Sequence, residues 1–420
     1  MSGNNPPGRT TRGSPLELLR DRRIYIETYG CRYNFGDTAK LMEVLKRQGN
    51  ALVDTAECAD AVIINTCTVI GPTERRMLRR LSLFRSRDLY VTGCMPAVQL
   101  DAILAVCSPS VISPDAIRTA YRHIGTVSVR SGPGIVQIAS GCAGRCRYCI
   151  TRKARGPLKS CPVDEILAQV RAYASAGAAE IQLTAQDASA WGRDIHRTLP
   201  ELLKSVGELP GDFRIRVGMM NPLTVADILD NLVPAFRSEK IFGFIHVPVQ
   251  SGSDRILGYM GRDYRCEDFE RIVAAFRRSD PRVTVATDVI VGYPGETDED
   301  FCQTLDLIAR IRPNKVNVTR YSPRPFTGTA TGPDIPDSVK KERSRELNKV
   351  ADGIYASINA PLIGTETPFI VTESIRQGSV MARTPSYTGI VLNEDLPIGY
   401  TGTAALLRDR KFFFTGKRRY

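Results

Sequence analysis

Histidine is scarce in this chain: His123, His196 and His246 are the three among 420 residues, so most ligands of a metal site would have to come from other side chains. Tryptophan occurs once, at Trp191. No run approaches the roughly 18 consecutive apolar residues that a membrane-spanning helix requires, and residues 1–23 lack the apolar centre of a secretory signal. A cytoplasmic protein without membrane attachment is expected. The opening stretch, rich in Gly, Pro, Arg and Thr, reads as a disordered tail over residues 1–22.

Acidic residues are in the minority. The 45 Asp and Glu against 57 Lys and Arg give a formal charge of +12 and a pI near 9.2, which suits a polyanionic partner. A hydrophobic content of 42% and a charged content of 24% are those of ordinary globular chains, so no staple is needed to replace a missing core. Single cores seldom grow beyond about 250–300 residues, so two or three domains are expected.

Cysteine, by contrast, is plentiful. Eleven of them in a reducing compartment argue for metal binding or redox chemistry over disulfides. With so few histidines, most metal ligands would have to be thiolates.

Short β-branched runs alternate with helical stretches from Arg23 onward. Ile24–Thr28, Ala61–Thr66 and Leu89–Thr92 read as strands, Asp37–Arg47 as an amphipathic helix and Thr73–Ser86 as a basic helix. That order fits a doubly wound α/β domain over 23–130, ending in a linker near Ser131–Gly134.

A second β/α series covers 131–359. Its strands are expected at Ile135–Ala139, Glu180–Thr184, Arg214–Met219, Ile241–Val249, Val283–Val291 and Lys315–Arg320. Helices are expected between them at Val163–Ala176, Leu199–Leu209, Val225–Phe236, Cys266–Arg278 and Glu299–Ile311, with a last one at Asp337–Asn359. Six units are too few to close an eight-stranded barrel but fit a partial one, with functional residues at the carboxyl ends of its strands. Over 360–420, Pro368–Glu373, Ser379–Ala382, Gly389–Leu392, Gly402–Arg408 and Phe412–Thr415 are short β-type runs divided by turns. They predict a small five-stranded barrel, a fold that can bind oligonucleotides.

Cys142, Cys146 and Cys149 form a C-x3-C-x2-C run directly after the first barrel strand. Three thiols in a Gly-rich, charged loop make poor core. Three thiolates at this spacing can hold three irons of a cubane cluster and leave the fourth open to a substrate. Cys31, Cys67 and Cys94 are scattered in sequence, yet each follows a predicted parallel strand. The topology gathers them at one rim of the sheet, where open α/β sheets place ligands.

The C-x3-C-x2-C run, with Tyr148 just before its third cysteine, resembles the cluster motif of the radical-SAM superfamily. Thr28-Tyr29-Gly30-Cys31, Asn65-Thr66-Cys67 and Thr92-Gly93-Cys94 resemble the cysteine motifs of the methylthiotransferase amino-terminal domain. Further similarity runs through Leu183–Asp187, Arg216–Met219, His246–Ser253 and Asp288–Thr297, and the last sixty residues resemble an RNA-binding TRAM domain. Cys149–Ser160 is similar to the archaeal and eukaryotic branch, which acts on N6-threonylcarbamoyladenosine at position 37 of tRNA.

The resemblance implies two [4Fe-4S] clusters, S-adenosyl-L-methionine, a tRNA anticodon loop as substrate, no DNA, and an electron donor such as a flavodoxin or ferredoxin. By it, Cys142, Cys146 and Cys149 hold the radical-generating cluster, and Cys31, Cys67 and Cys94 a second cluster that delivers sulfur. Tyr148, Gln186, Arg216, Gln250, Ser251 and Gly252 are the candidate cofactor contacts, each at or near a strand's carboxyl end. Asp288 is left out, because a carboxylate on a barrel strand can simply satisfy a nearby amide. Arg408, Arg410, Lys411, Lys417, Arg418 and Arg419, with Phe412, Phe413 and Phe414, are candidates for gripping RNA, and alternation would send Phe412 and Phe414 to one face. Cys58, Cys107, Cys161, Cys266 and Cys302 lack partners at ligand spacing and are read as small buried residues. A methylthiotransferase of another tRNA adenosine, and an iron–sulfur RNA-binding redox regulator, remain as alternatives.

Overall fold

A computed structural model describes residues 14–122, 124, 127, 132–328 and 333–419. The chain forms two compact units, one of residues 1–68 and 72–125 and one of residues 69–71 and 126–420.

The first unit is an α/β sheet of five parallel strands: β1 (Arg23–Thr28), β2 (Ala51–Val53), β3 (Ala61–Thr66), β4 (Leu89–Gly93) and β5 (Ser110–Val111), in the order β2-β1-β3-β4-β5. β3 and β4 are buried along their whole length, as central parallel strands covered on both faces must be. One face packs Val62, Ile64, Leu89 and Val91 against Met77 and Leu81 of the helix Gly71–Leu83. β2 and β5 are edge strands of three and two residues, too short to show periodicity.

The expected tail over 1–22 needs correction. Ser14 caps a turn of 3-10 helix at Pro15–Leu18, and Leu16 and Leu19 are buried. Asn50 and Gln48 donate to the Leu19 and Leu16 carbonyls at 2.8 and 3.2 Å, which fixes the segment to the sheet domain. Two leucines in a polar stretch were too few to register as an element. Residues 1–13, and the His123 and Ser131 positions, lie outside the described residues.

In the second unit, β6 (Gly134–Gln137) precedes a small antiparallel pair, β7 (Ala139–Ser140) with β8 (Lys159–Ser160). β9 (Glu180–Thr184) and β10 (Arg214–Val217) join β6 in a parallel sheet ordered β10-β9-β6. β11 (Phe244–His246), β12 (Thr284–Val291) and β13 (Lys315–Arg320) form a second parallel sheet. Isolated parallel bridges, Ile215 to Ile241 and Met219 to His246, join the two into the expected six-stranded partial barrel. Alternation along the strands is strict. Val136, Ile181, Leu183, Ile215, Ile245, Val285, Val289 and Val316 face outward into one large core with the helices, including Ile166, Leu202, Phe269 and Phe301.

The predicted helix over 225–236 is two helices, Pro222–Ala226 and Leu229–Ala235, the first started by the Asn221 side chain accepting from the Leu223 amide.

The last strands, β14 (Glu366–Arg376), β15 (Ser379–Arg383), β16 (Gly389–Leu392), β17 (Thr401–Asp409) and β18 (Phe413–Arg419), close a five-stranded barrel around Phe369, Val371, Ile390, Leu392 and Phe414. This barrel shares a compact unit with the partial barrel. Phe242, Phe244, Ala286 and Ile370 make a joint core on which Tyr387 packs, and the Gly243 amide donates to the Pro385 carbonyl at 2.8 Å.

Candidate functional site

The Cys142–Cys149 loop leaves the end of the β6–β7 stretch at Gly141, whose φ of +71° and position 1.9 Å from the Pro157 carbonyl, measured from where a Cβ would stand, admit glycine alone. Backbone bonds pin the loop: Cys142 N to Gly156 O at 3.2 Å, Arg147 N to Met260 O at 2.9 Å and Cys149 N to Cys146 O at 3.2 Å. A Cβ on Gly144 would stand 3.3 Å from Cys142 Sγ and 3.8 Å from Cys146 Sγ, and the Gly144 amide donates to Cys142 Sγ at 3.2 Å. The two thiols therefore converge on this glycine. Burial pushes the Cys142 thiol up to about 11 and raises Cys146 as well, so these thiols keep their protons until a metal or cluster replaces them.

Around the loop stand polar groups that the fold itself does not use. Arg262 donates from Nη2 to the Tyr148 hydroxyl at 2.5 Å, while its Nε is buried without a hydrogen-bond partner. Burial opposes the guanidinium's charge, but the phenols of Tyr264 and Tyr148 and the thiol of Cys146 outweigh that and keep it protonated. Gln186 Oε1 is likewise buried and unpartnered. Asp187, 3% exposed, accepts from the Ser189 amide and hydroxyl, the Asn221 amide and Thr224 Oγ1 at 2.7 to 3.1 Å. It fixes the start of the Pro222–Ala226 helix beside the thiols. Desolvation still raises its carboxyl above the usual range.

The remaining candidates divide. Tyr148 meets Tyr293 edge-on, with ring centroids 6.3 Å apart. Gln250 adopts φ +72°, a left-handed conformation unusual for glutamine, held between the Asp288 carbonyl and the Ile290 amide. Ser251 and Gly252 turn instead onto the helix Asp298–Ile311. The Gly252 amide donates to Thr304 Oγ1 at 2.9 Å, and a Cβ there would stand 2.4 Å from Thr304 Cα. Arg216 departs from expectation as well. Its guanidinium lies 4.8 Å from the Phe244 ring and 5.4 Å from that of Tyr387, whose hydroxyl donates to Glu180 at the amino end of β9. It faces away from the cysteine loop, which follows the opposite strand ends.

Arg216 belongs to a set that the sequence reading missed. The inward faces of five of the six strands, β9 to β13, carry Glu180, Gln182, Arg216, His246, Asp288, Lys315 and Asn317. Asp288 accepts from Asn317 Nδ2 at 2.7 Å and bonds His246 Nε2 at 2.8 Å, and these contacts hold its carboxyl below the usual range against the raising effect of burial. Closed barrels of this class fill the interior with Val, Ile and Leu. This lumen is polar.

In the first unit, Gly30 at φ +104° would bring a Cβ within 2.7 Å of Cys67 Cβ and 3.0 Å of its Sγ. Cys31 caps the helix Arg32–Arg47 immediately after it. Asn34, fully buried, donates to the Tyr29 and Thr66 carbonyls at 2.8 and 2.9 Å, and its Oδ1 accepts from Cys94 Sγ at 3.8 Å. The three cysteine loops thus meet around one asparagine. No disulfide is formed by any of the eleven cysteines.

Among the described residues no three His, Cys, Asp or Glu side chains are arranged around a single metal ion. A cubane does not ask for that, since each thiolate ligates its own iron. Of the cysteines outside the two sets, Cys107 is buried as read, while Cys58 and Cys302 are exposed. Trp191 is core, its Nε1 donating to the Cys161 carbonyl at 3.1 Å.

Phe412 and Phe414 do not share a face. Phe414 is 1% exposed inside the terminal barrel, whereas Phe412 precedes β18 in the turn at Lys411 and is 48% exposed. Arg418 pairs with Glu394, Arg419 with Glu366 and Lys411 with Asp352, while Arg408, Arg410 and Lys417 are exposed outside those pairs.

A family model described as the Radical SAM superfamily matches residues 136–308, and one described as Uncharacterized protein family UPF0004 matches residues 23–113. A relative from Pyrococcus horikoshii named a probable threonylcarbamoyladenosine tRNA methylthiotransferase is 41% identical over 399 residues, covering 89% of this chain and 94% of that protein. A human threonylcarbamoyladenosine tRNA methylthiotransferase is 30% identical over 378 residues, covering 83% of this chain and 64% of that protein. Among solved structures, the radical S-adenosylmethionine methyltransferase TsrM from Kitasatospora setae matches with a TM-score of 0.51 at 14% identity, over 71% of this chain and 73% of that one, a likeness of fold.

Proposed function

This chain belongs to the threonylcarbamoyladenosine tRNA methylthiotransferases, a radical-SAM family, and on that footing we propose that it converts N6-threonylcarbamoyladenosine at position 37 of tRNA to the 2-methylthio derivative. The observation that carries the reading is the cysteine loop set beside a buried guanidinium, Arg262, which holds Tyr148 of that loop and whose Nε has no partner in the fold. Buried polar groups are ordinarily satisfied, so orphans next to a thiol cluster await a ligand.

An adenine C2–H offers no acidic proton and no leaving group; a four-iron cluster with S-adenosylmethionine bound supplies a 5′-deoxyadenosyl radical able to abstract its hydrogen. Cys142, Cys146 and Cys149 would hold three irons of that cluster. Arg262 and Gln186 would meet the charged and polar parts of the cofactor, and Tyr148, fixed through its hydroxyl, would pack beside it. Cys31, Cys67 and Cys94 would hold the second cluster, from which sulfur is delivered, and a second S-adenosylmethionine would give the methyl group. Reducing equivalents would come from a flavodoxin or ferredoxin in the cytoplasm. The substrate base must be unstacked to enter, as in an anticodon loop, and the exposed Arg408, Arg410 and Lys417 of the terminal barrel suit its phosphates.

The test is mass spectrometry of tRNA nucleosides after incubating the anaerobically reconstituted protein with S-adenosylmethionine, reductant, sulfide and tRNA bearing threonylcarbamoyladenosine. The 2-methylthio product should form, and should be absent with Cys31→Ala and with Cys146→Ala separately. Cofactor cleavage without a modified nucleoside would sink the substrate assignment, and binding without cleavage would favour a redox regulator.

A further inference from the structure

The lumen of the partial barrel holds more positive charge than its carboxylates neutralise. Arg216 on β10 and Arg383 at the end of β15 stand on Tyr387, with their guanidinium carbons 5.4 and 4.5 Å from the ring centroid. Both Nε atoms are buried without a hydrogen-bond partner. Lys315, on the inward face of β13, has part of its side chain open to solvent and its amine 5.3 Å from the Phe412 ring centroid. Burial, and then the neighbouring Arg216 and Arg383 charges, lower its amine despite the opposing pull of Asp288. The two carboxylates nearby are already committed, Asp288 to His246 and Asn317 and Glu180 to Tyr387 and Gln182.

Three cations that repel one another, two of them with unused donors, cost stability unless an anion joins them. Tyr387, which orients both arginines, sits at φ +67° in the loop between β15 and β16, a conformation a tyrosine adopts only when its surroundings enforce it.

We propose that Arg216, Arg383 and Lys315 form a carboxylate-binding subsite that recognises the anionic end of the substituent on N6 of the substrate adenosine. The proposal rests on the function proposed above. A threonylcarbamoyl group ends in a carboxylate and leaves the pyrimidine ring from C6, on the other side of N1 from C2, so its far end reaches a different part of the pocket from C2. With C2 at the cysteine loop beyond the carboxyl ends of the strands, the substituent runs down the lumen toward their amino ends. Arg216 is the penultimate residue of β10, and its side chain runs down to the rings of Phe244 and Tyr387 at the amino ends of the strands, a depth of roughly 7–10 Å at strand rise that the substituent spans. Guanidinium groups bind carboxylates bidentately, which would give the site selectivity over adenosines carrying an apolar N6 group.

The experiment compares tRNA bearing threonylcarbamoyladenosine with the same tRNA after its carboxylate is converted to the methyl ester, for the wild type and for Arg216→Met, Arg383→Met and Lys315→Gln. Methylthiolation is followed in each case. In parallel, the free nucleoside and its methyl ester are titrated calorimetrically. The wild type should prefer the acid at least about tenfold in kcat/KM, the variants should lose that preference, and Arg216→Lys should recover part of it, with circular dichroism checking the fold. Equal turnover of acid and ester by the wild type overturns the subsite and leaves the proposed reaction standing. No turnover of either, with the acid nucleoside still bound tightly by the wild type alone, overturns the reaction and keeps the subsite. A variant that loses acid and ester turnover equally speaks against the subsite.

Discussion

Single residues set the approach of the thiols. Gly30 leaves no room for a methyl group beside Cys67, and its φ of +104° is one that L side chains avoid. Gly30→Ala should therefore displace Cys67 or Cys31 while the chain stays folded. Iron bound after anaerobic reconstitution is expected to fall by about half, the loss confined to the auxiliary set. Undiminished iron would mean that Cys67 takes no part. That Cys142 and Cys146 share one loop, and that Cys67 and Cys94 stand at neighbouring strand ends, was legible from their spacing and strand positions. Arg262, Asn34 and Lys315 were not legible. Arginine, asparagine and lysine are common, and what marks these three is a neighbour far away in sequence: Tyr148 for Arg262, Cys94 for Asn34, Phe412 for Lys315.

At the scale of elements, the helix Asp298–Ile311 does more than cover the barrel. Thr297 and Asp300 form a capping box, and the Asp300 carboxylate also accepts from Ser253 Oγ at 2.6 Å and pairs with Arg255. Burial alone would raise this carboxyl, but hydrogen bonds from Arg255, Ser253 and Thr297 hold it down to about 2. A depressed carboxyl contributes stability above its unfolded value, near 3.8, and loses it as pH falls toward the folded one. Asp300→Asn should cost about 1 kcal/mol or more at pH 7. In urea titrations its deficit against the wild type should narrow as pH falls from about 5 to about 3; a deficit constant with pH would assign the effect to packing. The long strands and helices were readable from their periodicity. β2 and β5 were not, since two or three residues carry none, and the Ser14–Leu19 turn was hidden by a polar neighbourhood.

For the molecule as a whole, two or three domains were expected and two compact units are found, the two barrels sharing one because Phe242, Phe244 and Tyr387 build a common core, a junction with no local signature in the sequence. The excess of +12 charges is also a whole-molecule property. Binding of tRNA should weaken by at least about tenfold between roughly 50 and 200 mM salt, as release of counterions from a few phosphates demands. Arg75 and Arg79, exposed on the helix Gly71–Leu83, are expected to lower the salt slope by about one each when changed to Ala. A slope unchanged in both variants would place the contacting charges elsewhere.

The polar lumen has a bearing on how such proteins diversify. A barrel filled with packed aliphatic side chains is held together by its interior, so altering that interior endangers the fold. Here the apolar core lies outside the strands, between them and the helices, and the lumen contributes little to it. An inward-facing position such as Lys315, partly open to solvent, can change at small folding cost, whereas Asn317 is tied to the Asp288 carboxylate. On the proposed subsite, exchanging lumen side chains would change which substituent is accepted while leaving the cysteine loop as it is.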